Sequence, residues 1–212
     1  MATQTRRRSG RSAAPRREHR TQAERSEETV GRLVATAREL FAERGFAATS
    51  IEDIVRSAGV TRGALYHHFA DKTELFRAVF EAEERALASR VAHASARRRD
   101  PWRRIEAGCE EFLDAAGQPG VRKILLIEGP AVLGWDGVRE IQYRYGLSAW
   151  RQGLEHAMDE GRLRKRPAEP LAHVLFGALC EAAMVTARSD RPEIIRGVRA
   201  EIQHLVRTIA DS

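Results

Sequence analysis

The sequence predicts an all-α protein, with an N-terminal three-helix helix-turn-helix unit and a larger C-terminal helical region. Its composition is dominated by strong helix formers such as Ala, Leu, Arg and Glu, with 31% charged and only 6% aromatic residues. Apolar residues recur at helical spacing through much of the chain. Between residues 49 and 72, two short helical segments flank a turn that contains glycine, the form of a helix-turn-helix. With 212 residues, the chain can bury a substantial core.

The first 25 residues form a basic arm in front of this unit. They carry eight Arg against Glu18 and Glu24, which accounts for the whole net charge of +6. Without apolar periodicity, residues 1–25 are expected to be disordered in isolation, and without an apolar h-region they do not form a secretory signal. Such an arm can follow DNA phosphates or enter a minor groove. A solubilising tail or a misassigned start site remains an alternative.

The first helix is predicted to begin at Ser26, because Glu27 and Glu28 suit the positive end of a helix dipole. Its apolar positions continue at helical spacing up to Gly45. Phe46, directly after this glycine, is expected to fill the small core of the three-helix unit.

The next two helices carry the predicted DNA contacts. Thr49 or Ser50 caps the first of them, with Glu52 completing a capping box from Thr49, and Gly59 ends it. The second begins after Thr61, and its outward side chains can reach phosphates or base edges. A solvated surface helix is the alternative. The predicted DNA-binding residues are Thr49, Thr61, Arg62, Gly63, Tyr66, His67 and Lys72.

Residues 37–76 read ARELFAERGFAATSIEDIVRSAGVTRGALYHHFADKTELF. This run resembles the DNA-binding domain of the tetracycline-repressor (TetR) family, with a specific resemblance over roughly residues 26–80. The resemblance implies a DNA-binding domain at 26–71 and a ligand-binding and dimerisation domain at 72–212. It also implies that Lys72, with the helix N-terminus that it begins, contacts a phosphate.

The C-terminal region reads as a series of helices. A long helix is expected from Lys72 to about Ala96, and another from Pro101 to about Gly117. A short apolar segment at 121–128 is expected to break at Gly129-Pro130, and an irregular helical stretch follows at 131–161. Residues 171–187 are apolar or small on every side, and the last helix has an apolar stripe. These two helices predict a homodimer interface, with an intramolecular core as the alternative.

A ligand pocket is predicted in the C-terminal region, because pockets combine apolar walls with a few polar groups. Plain core packing is the alternative for each residue. The candidates are Glu128, Trp135, Tyr143, Trp150, His173, Phe176, Cys180, Glu181 and Met184.

Other functional classes are disfavoured. Nucleotide-binding, hydrolase and zinc-protease motifs are missing from the sequence, so we expect no enzyme and no cofactor. Cys109 and Cys180 have no companion ligands, which predicts free thiols and no metal site. No apolar run approaches the length of a membrane span, which favours a cytoplasmic protein without membrane association.

These features predict a DNA-binding transcriptional regulator, a repressor that leaves its double-stranded DNA operator when it binds a small apolar or aromatic effector. The alternative is a helical ligand-binding or protein-interaction protein without operator recognition.

Overall fold

The computed structural model describes residues 21–211, and within this range the chain is helical with no strand. The prediction of an all-α fold is confirmed. The first four helices are α1 (Gln22–Arg44), α2 (Ile51–Ala58), α3 (Arg62–His68) and α4 (Lys72–Ala96). The others are α5 (Pro101–Ala116), α6 (Pro119–Val121), α7 (Gly129–Gln142), α8 (Ser148–Asp159), α9 (Ala168–Arg188) and α10 (Pro192–Asp211). Two π-helical segments, Arg122–Glu128 and Tyr143–Leu147, connect α6 to α7 and α7 to α8.

The first helix begins before the predicted Ser26. Thr21 is the N-cap of α1: its hydroxyl accepts from the Glu24 backbone N–H at 3.2 Å, and the Glu24 carboxylate accepts from the Thr21 N–H at 2.8 Å. This reciprocal pair satisfies two donors that a helix start otherwise leaves unpaired. Residues 22–25 of the predicted arm therefore belong to α1. The arm over residues 1–20 lies outside the described part of the chain.

The three N-terminal helices share their core with α4. Leu65 of α3 and Ile54 of α2 are fully buried. The rings of Phe41, Phe46 and Phe76 form a triangle with centroids 5.3–5.7 Å apart. Because Phe76 belongs to α4, the long helix completes the core of the small unit.

Gly129-Pro130 does not break the chain into separate segments, contrary to expectation. The π-helical segment Arg122–Glu128 runs directly into α7, and Pro130 lies in the first turn of α7. The interruption lies instead at Gly134, whose φ of 68° and ψ of 171° kink α7.

The terminal helices differ from expectation in one respect. α9 contains an 18-residue window with a mean hydropathy of 1.5, so by length and composition it could cross a membrane, and 39% of that window is buried in the fold. Small Ala and Gly residues separate the few charged residues of α9 and so lengthen its apolar stretch. In the structure α9 packs against α5, α8 and α10.

Gly129 marks a tight contact between α7 and α4. A methyl group added there would lie 2.4 Å from Phe80 Cε2 and 3.1 Å from the Ile124 carbonyl oxygen. We therefore expect Gly129→Ala to destabilise the protein by about 1–3 kcal/mol through overpacking. Gly31→Ala, in α1 with open space around it, should stabilise by about 0.5–1 kcal/mol through helix propensity. Chemical denaturation of both variants checks this, and equal stability of the two would contradict the tight contact.

Candidate nucleic-acid interface and ligand cavity

The turn between α2 and α3 follows the predicted design. Gly59 ends α2 in the left-handed conformation, with φ 64° and ψ 37°, which glycine adopts without steric cost. The Thr61 hydroxyl then caps α3 by accepting from the Ala64 backbone N–H at 3.1 Å. Since Leu65 is fully buried, α3 is fixed in rotation about its own axis.

The opposite face of α3 is open to solvent. Thr61, Arg62, Gly63, Tyr66 and His67 are all exposed. The Arg62 guanidinium donates to the Glu52 carboxylate at 2.7 Å and to the Tyr66 hydroxyl at 3.4 Å. It also lies 5.4 Å from the centre of the Tyr66 ring. A guanidinium and a phenol are therefore presented together on the exposed face of a short, capped helix.

Thr49 does not belong to this exposed face. It is fully buried, and its hydroxyl donates to the Gly45 carbonyl oxygen at 2.8 Å. The expected capping box is also wrong: Ser50 is the N-cap of α2, accepting from the Asp53 N–H at 3.1 Å, while Glu52 pairs with Arg62. Thr49 therefore shapes the turn before α2 and has no access to DNA.

Lys72 is half-buried at the start of α4. Its ammonium group donates to the carbonyl oxygens of Phe46 and Thr49 at 2.9 and 3.0 Å and lies 4.3 Å from the centre of the Phe46 ring. An ammonium has three donors, so one N–H remains for an outside acceptor such as a phosphate. The contact between Lys72 and a DNA phosphate stays a prediction. The two hydrogen bonds give Lys72 a structural role in the turn between α1 and α2.

A cavity of about 300 Å³ lies in the C-terminal region, between α4, α5, α8, α9 and the π-helical segment Tyr143–Leu147. Its walls are mainly apolar. The lining residues include Glu84, Leu87, Val91, Ser95, Arg104, Ile105, Phe112, Tyr145, Trp150, His156 and Phe176.

Of the nine predicted ligand contacts, only Trp150 and Phe176 line this cavity. Seven do not: Glu128, Trp135, Tyr143, His173, Cys180, Glu181 and Met184.

Several of the seven occupy other surfaces. Trp135 is 67% exposed with Arg139 stacked over its ring, and Tyr143 packs edge-on to His173 with centroids 5.4 Å apart. Glu181 faces a groove between α9 and α10. The prediction treated aromatic residues as inward-facing, but on the irregular helical stretch 129–159 some of them point to solvent.

Glu128 lies against the N-terminal unit of α1, α2 and α3, which is predicted to bind DNA. Its carboxylate accepts from the Phe46 backbone N–H at 2.9 Å. From the same π-helical segment, the Lys123 ammonium donates to the Glu43 carbonyl oxygen at 2.9 Å. These two bonds, which we call the interdomain latch, hold the C-terminal end of α1 to the C-terminal region.

Glu84 is a cavity residue that the sequence-based predictions did not include. It is 5% exposed, and its carboxyl is hydrogen-bonded to the Gln142 side chain. Burial raises its pKa to about 7, with a smaller upward contribution from the charge of Glu83. The sequence offers one signal for this residue. Glu84 lies four residues after Phe80 and three before Leu87, so a charged residue stands on the buried stripe of α4.

The two cysteines are free, as predicted. Cys109 is buried. Burial raises the pKa of the Cys180 thiol to about 12, with a smaller upward contribution from the charge of Glu84. Within residues 21–211 no cluster of three or more His, Cys, Asp or Glu side chains could hold a metal ion.

Comparison with known proteins identifies both regions. Residues 33–79 match the family described as bacterial regulatory proteins, tetR family, and residues 102–209 match the tetracyclin repressor-like C-terminal domain.

Individual relatives agree with these matches. The Transposon Tn10 TetC protein of Escherichia coli is 28% identical over 156 residues, which covers 74% of this chain and 79% of TetC. The HTH-type transcriptional regulator CymR of Pseudomonas putida is 52% identical over 62 residues, covering 29% of this chain and 30% of CymR.

A solved structure extends the similarity over nearly the whole fold. The crystal structure of a TetR-family transcriptional regulator from Pectobacterium atrosepticum superimposes with a TM-score of 0.79 and 32% identity, covering 91% of this chain and 99% of that one. This chain therefore belongs to the TetR family, and it is a helix-turn-helix DNA-binding transcriptional regulator.

Proposed function

We propose that the protein is a cytoplasmic, homodimeric repressor that reads its operator with α3 and leaves it when a small molecule fills the cavity. The exposed face of α3 carries this proposal. Its guanidinium, phenol, imidazole and hydroxyl groups are the types that bind phosphates and base edges. Because the buried face of α3 packs on α1 and α2, these groups are presented in one fixed orientation.

The groove between α9 and α10 supports the dimer. It is wide and lined largely by small and aliphatic side chains, among them Ala178, Val185, Ile194, Val198 and Leu205. An apolar surface of this kind is typical of a protein interface. Two α3 helices must lie about 34–36 Å apart to enter successive major grooves, and a C-terminal interface would set this distance.

The switch is proposed to act through α4. Residues 84–95 of this helix form one wall of the cavity, while its first residue, Lys72, holds the turn between α1 and α2. A ligand that shifts α4 must therefore also move the DNA-binding unit. Release requires the ligand to prefer the conformation in which the two α3 helices are wrongly placed. A coupling of about 1–3 kcal/mol would weaken operator binding about 5–150-fold.

The first prediction from this proposed function concerns α3. Arg62→Ala and Tyr66→Ala should each weaken binding to the specific DNA site by about 1–3 kcal/mol, because base or close phosphate contacts are lost. The specific DNA site would be identified by selecting genomic fragments that bind the unaltered protein. Gel shifts would then measure the affinity of each variant for that site. The pair Arg164→Ala and Tyr143→Ala, both exposed and remote from α3, serves as a control of matched chemistry. Full affinity of the α3 double variant, with a native circular-dichroism spectrum, would refute the assignment.

The second prediction concerns the interdomain latch. Glu128→Ala removes the acceptor of the Phe46 N–H, which should cost about 1–3 kcal/mol of stability and lower DNA affinity because the DNA-binding unit loses its fixed position. Glu155→Ala removes a carboxylate of α8 that pairs with Arg151 on the same helix, and it should change neither quantity appreciably. Denaturation curves measure the stability of both variants, and gel shifts measure their DNA affinity. Unchanged stability and affinity in Glu128→Ala would show that the interdomain latch does not position the DNA-binding unit.

The third prediction concerns the dimer. Ala178→Arg places a charge in the groove between α9 and α10, where the partner subunit would bury it unpaired. We expect monomers by sedimentation and weakened DNA binding. Ala86→Arg, on the exposed side of α4, should remain dimeric. An intact dimer in Ala178→Arg with native helicity would place the interface elsewhere.

A further inference from the structure

We propose that the cavity binds an elongated, largely apolar amine as a monocation, with its charged nitrogen at Glu84. This inference rests on the proposed role of the cavity as the effector site and names the chemical class of the effector. Three features of the cavity support it: its length, the missing counter-ion of Glu84, and the charge at its other end.

The cavity is long in one direction. Its α4 wall runs from Glu84 to Ser95 along a single helix face. At a rise of about 1.5 Å per residue, these positions span about 16 Å. Apolar side chains from α5, α8 and α9, including Ile105, Trp150 and Phe176, cover the length between the two ends. An extended chain or a ring with a chain fits this shape better than a compact polar molecule.

Glu84 lacks a positive partner. Its adjacent carboxylate, Glu83, is paired with Arg38 at 2.5 Å, whereas no Lys, Arg or His within residues 21–211 forms an ion pair with Glu84. Gln142 supplies a neutral hydrogen bond, and the nearby Cys180 thiol stays protonated because its pKa is raised to about 12. A buried carboxylate without a counter-ion is costly, and a ligand cation removes that cost. An anionic group placed at Glu84 would be repelled.

The far end of the cavity favours a single charge in one orientation. Arg104 and His156 line that end, and the Arg104 guanidinium donates to the Arg98 carbonyl oxygen at 2.9 Å. A second ligand cation placed there would face Arg104. The ligand nitrogen is therefore directed to the Glu84 end, and a dication is disfavoured.

Protonation of Glu84 gives an independent readout. With a pKa of about 7, the carboxyl is partly protonated in the empty cavity at neutral pH. A bound cation favours the ionised form, so binding should release a fraction of a proton near pH 7. A ligand held by shape alone would release none.

The experiment compares three probes of similar size by isothermal titration calorimetry, without DNA. The cation is 4-phenylbutylamine, the neutral counterpart is 4-phenylbutan-1-ol, and the anion is 5-phenylpentanoate. The charged hydrogen bond to Glu84 should favour the amine over the alcohol by about 10-fold to 100-fold, and the anion should bind more weakly than the amine. Titrations in two buffers of different ionisation enthalpy measure the proton released.

Glu84→Gln tests the assignment, because it keeps the shape of the side chain and removes the charge. It should abolish both the preference for the amine and the proton release, while the affinity for the alcohol is retained. Glu110→Gln removes an exposed carboxylate of α5 outside the cavity, and it should keep both effects. Equal affinity for amine and alcohol in the unaltered protein, or a preference that survives Glu84→Gln, would overturn the proposal.

Gel shifts with the same probes separate this inference from the proposed function. If the amine binds with Glu84-dependent preference but leaves DNA affinity unchanged, the ligand class stands and the release mechanism fails. If the alcohol or the anion releases DNA as effectively as the amine, the release mechanism stands and the ligand class is wrong.

Discussion

The hydrogen bonding of the short turn between α1 and α2 determines how the DNA-binding unit is attached to the rest of the molecule. The Phe46 N–H donates to Glu128 and its carbonyl oxygen accepts from Lys72, so opposite sides of one residue are held by α4 and by the π-helical segment Arg122–Glu128. Gly45 makes this possible, because its φ is 88° and an added Cβ would lie 2.5 Å from the Glu128 carboxylate oxygen. Both hydrogen bonds join residues that are distant in the sequence. Each has one charged partner, so it is stronger than a hydrogen bond of the same length between neutral groups. These contacts around one residue therefore help to fix the position of α3 relative to the cavity.

This attachment joins the small unit to the helix that lines the cavity. The α1–α3 unit is too short to bury a large core of its own, and Phe76 of α4 closes it against Phe41 and Phe46. Further along the same helix, Phe80 packs against Gly129, and Glu84 reaches the cavity. α4 is thus continuous from the DNA-binding unit to the cavity, with close packing on both sides. Since packed interiors do not deform gradually, a displacement at one end of α4 is transmitted rather than absorbed.

How far the sequence predicts this structure depends on the range of the interactions involved. The end of α2 follows from Gly59 and the start of α3 from Thr61, because the roles of these residues are set by their own backbone and the next few residues, and both predictions are confirmed. The start of α1 was misplaced, although Thr21 and Glu24 form a local capping box, because the basic composition around them favoured disorder. Long-range partners were not predictable in the same way. Nothing local distinguishes Glu128, which bonds to Phe46 from 82 residues away, from a residue that faces a pocket. Among the aromatic residues, Trp150 points into the cavity and Trp135 into solvent, a difference set by the kink at Gly134 and the π-helical segments.

The two adjacent carboxylates of α4 show where stability and function diverge. Glu83 is neutralised within the chain by Arg38, whereas Glu84 is buried beside Gln142 with a pKa raised to about 7. A carboxyl whose folded pKa lies above its unfolded value binds protons more tightly in the folded state, so its burial destabilises the fold as pH rises from about 4.5 to about 7. Above that window the cost is about 3 kcal/mol, because each pKa unit corresponds to about 1.4 kcal/mol. An apolar residue at this position would avoid the cost and continue the buried stripe between Phe80 and Leu87. Fold stability therefore gives no reason for a carboxyl at this point. The proposed amine ligand does, because its charge would recover on binding the free energy that is lost in burying Glu84.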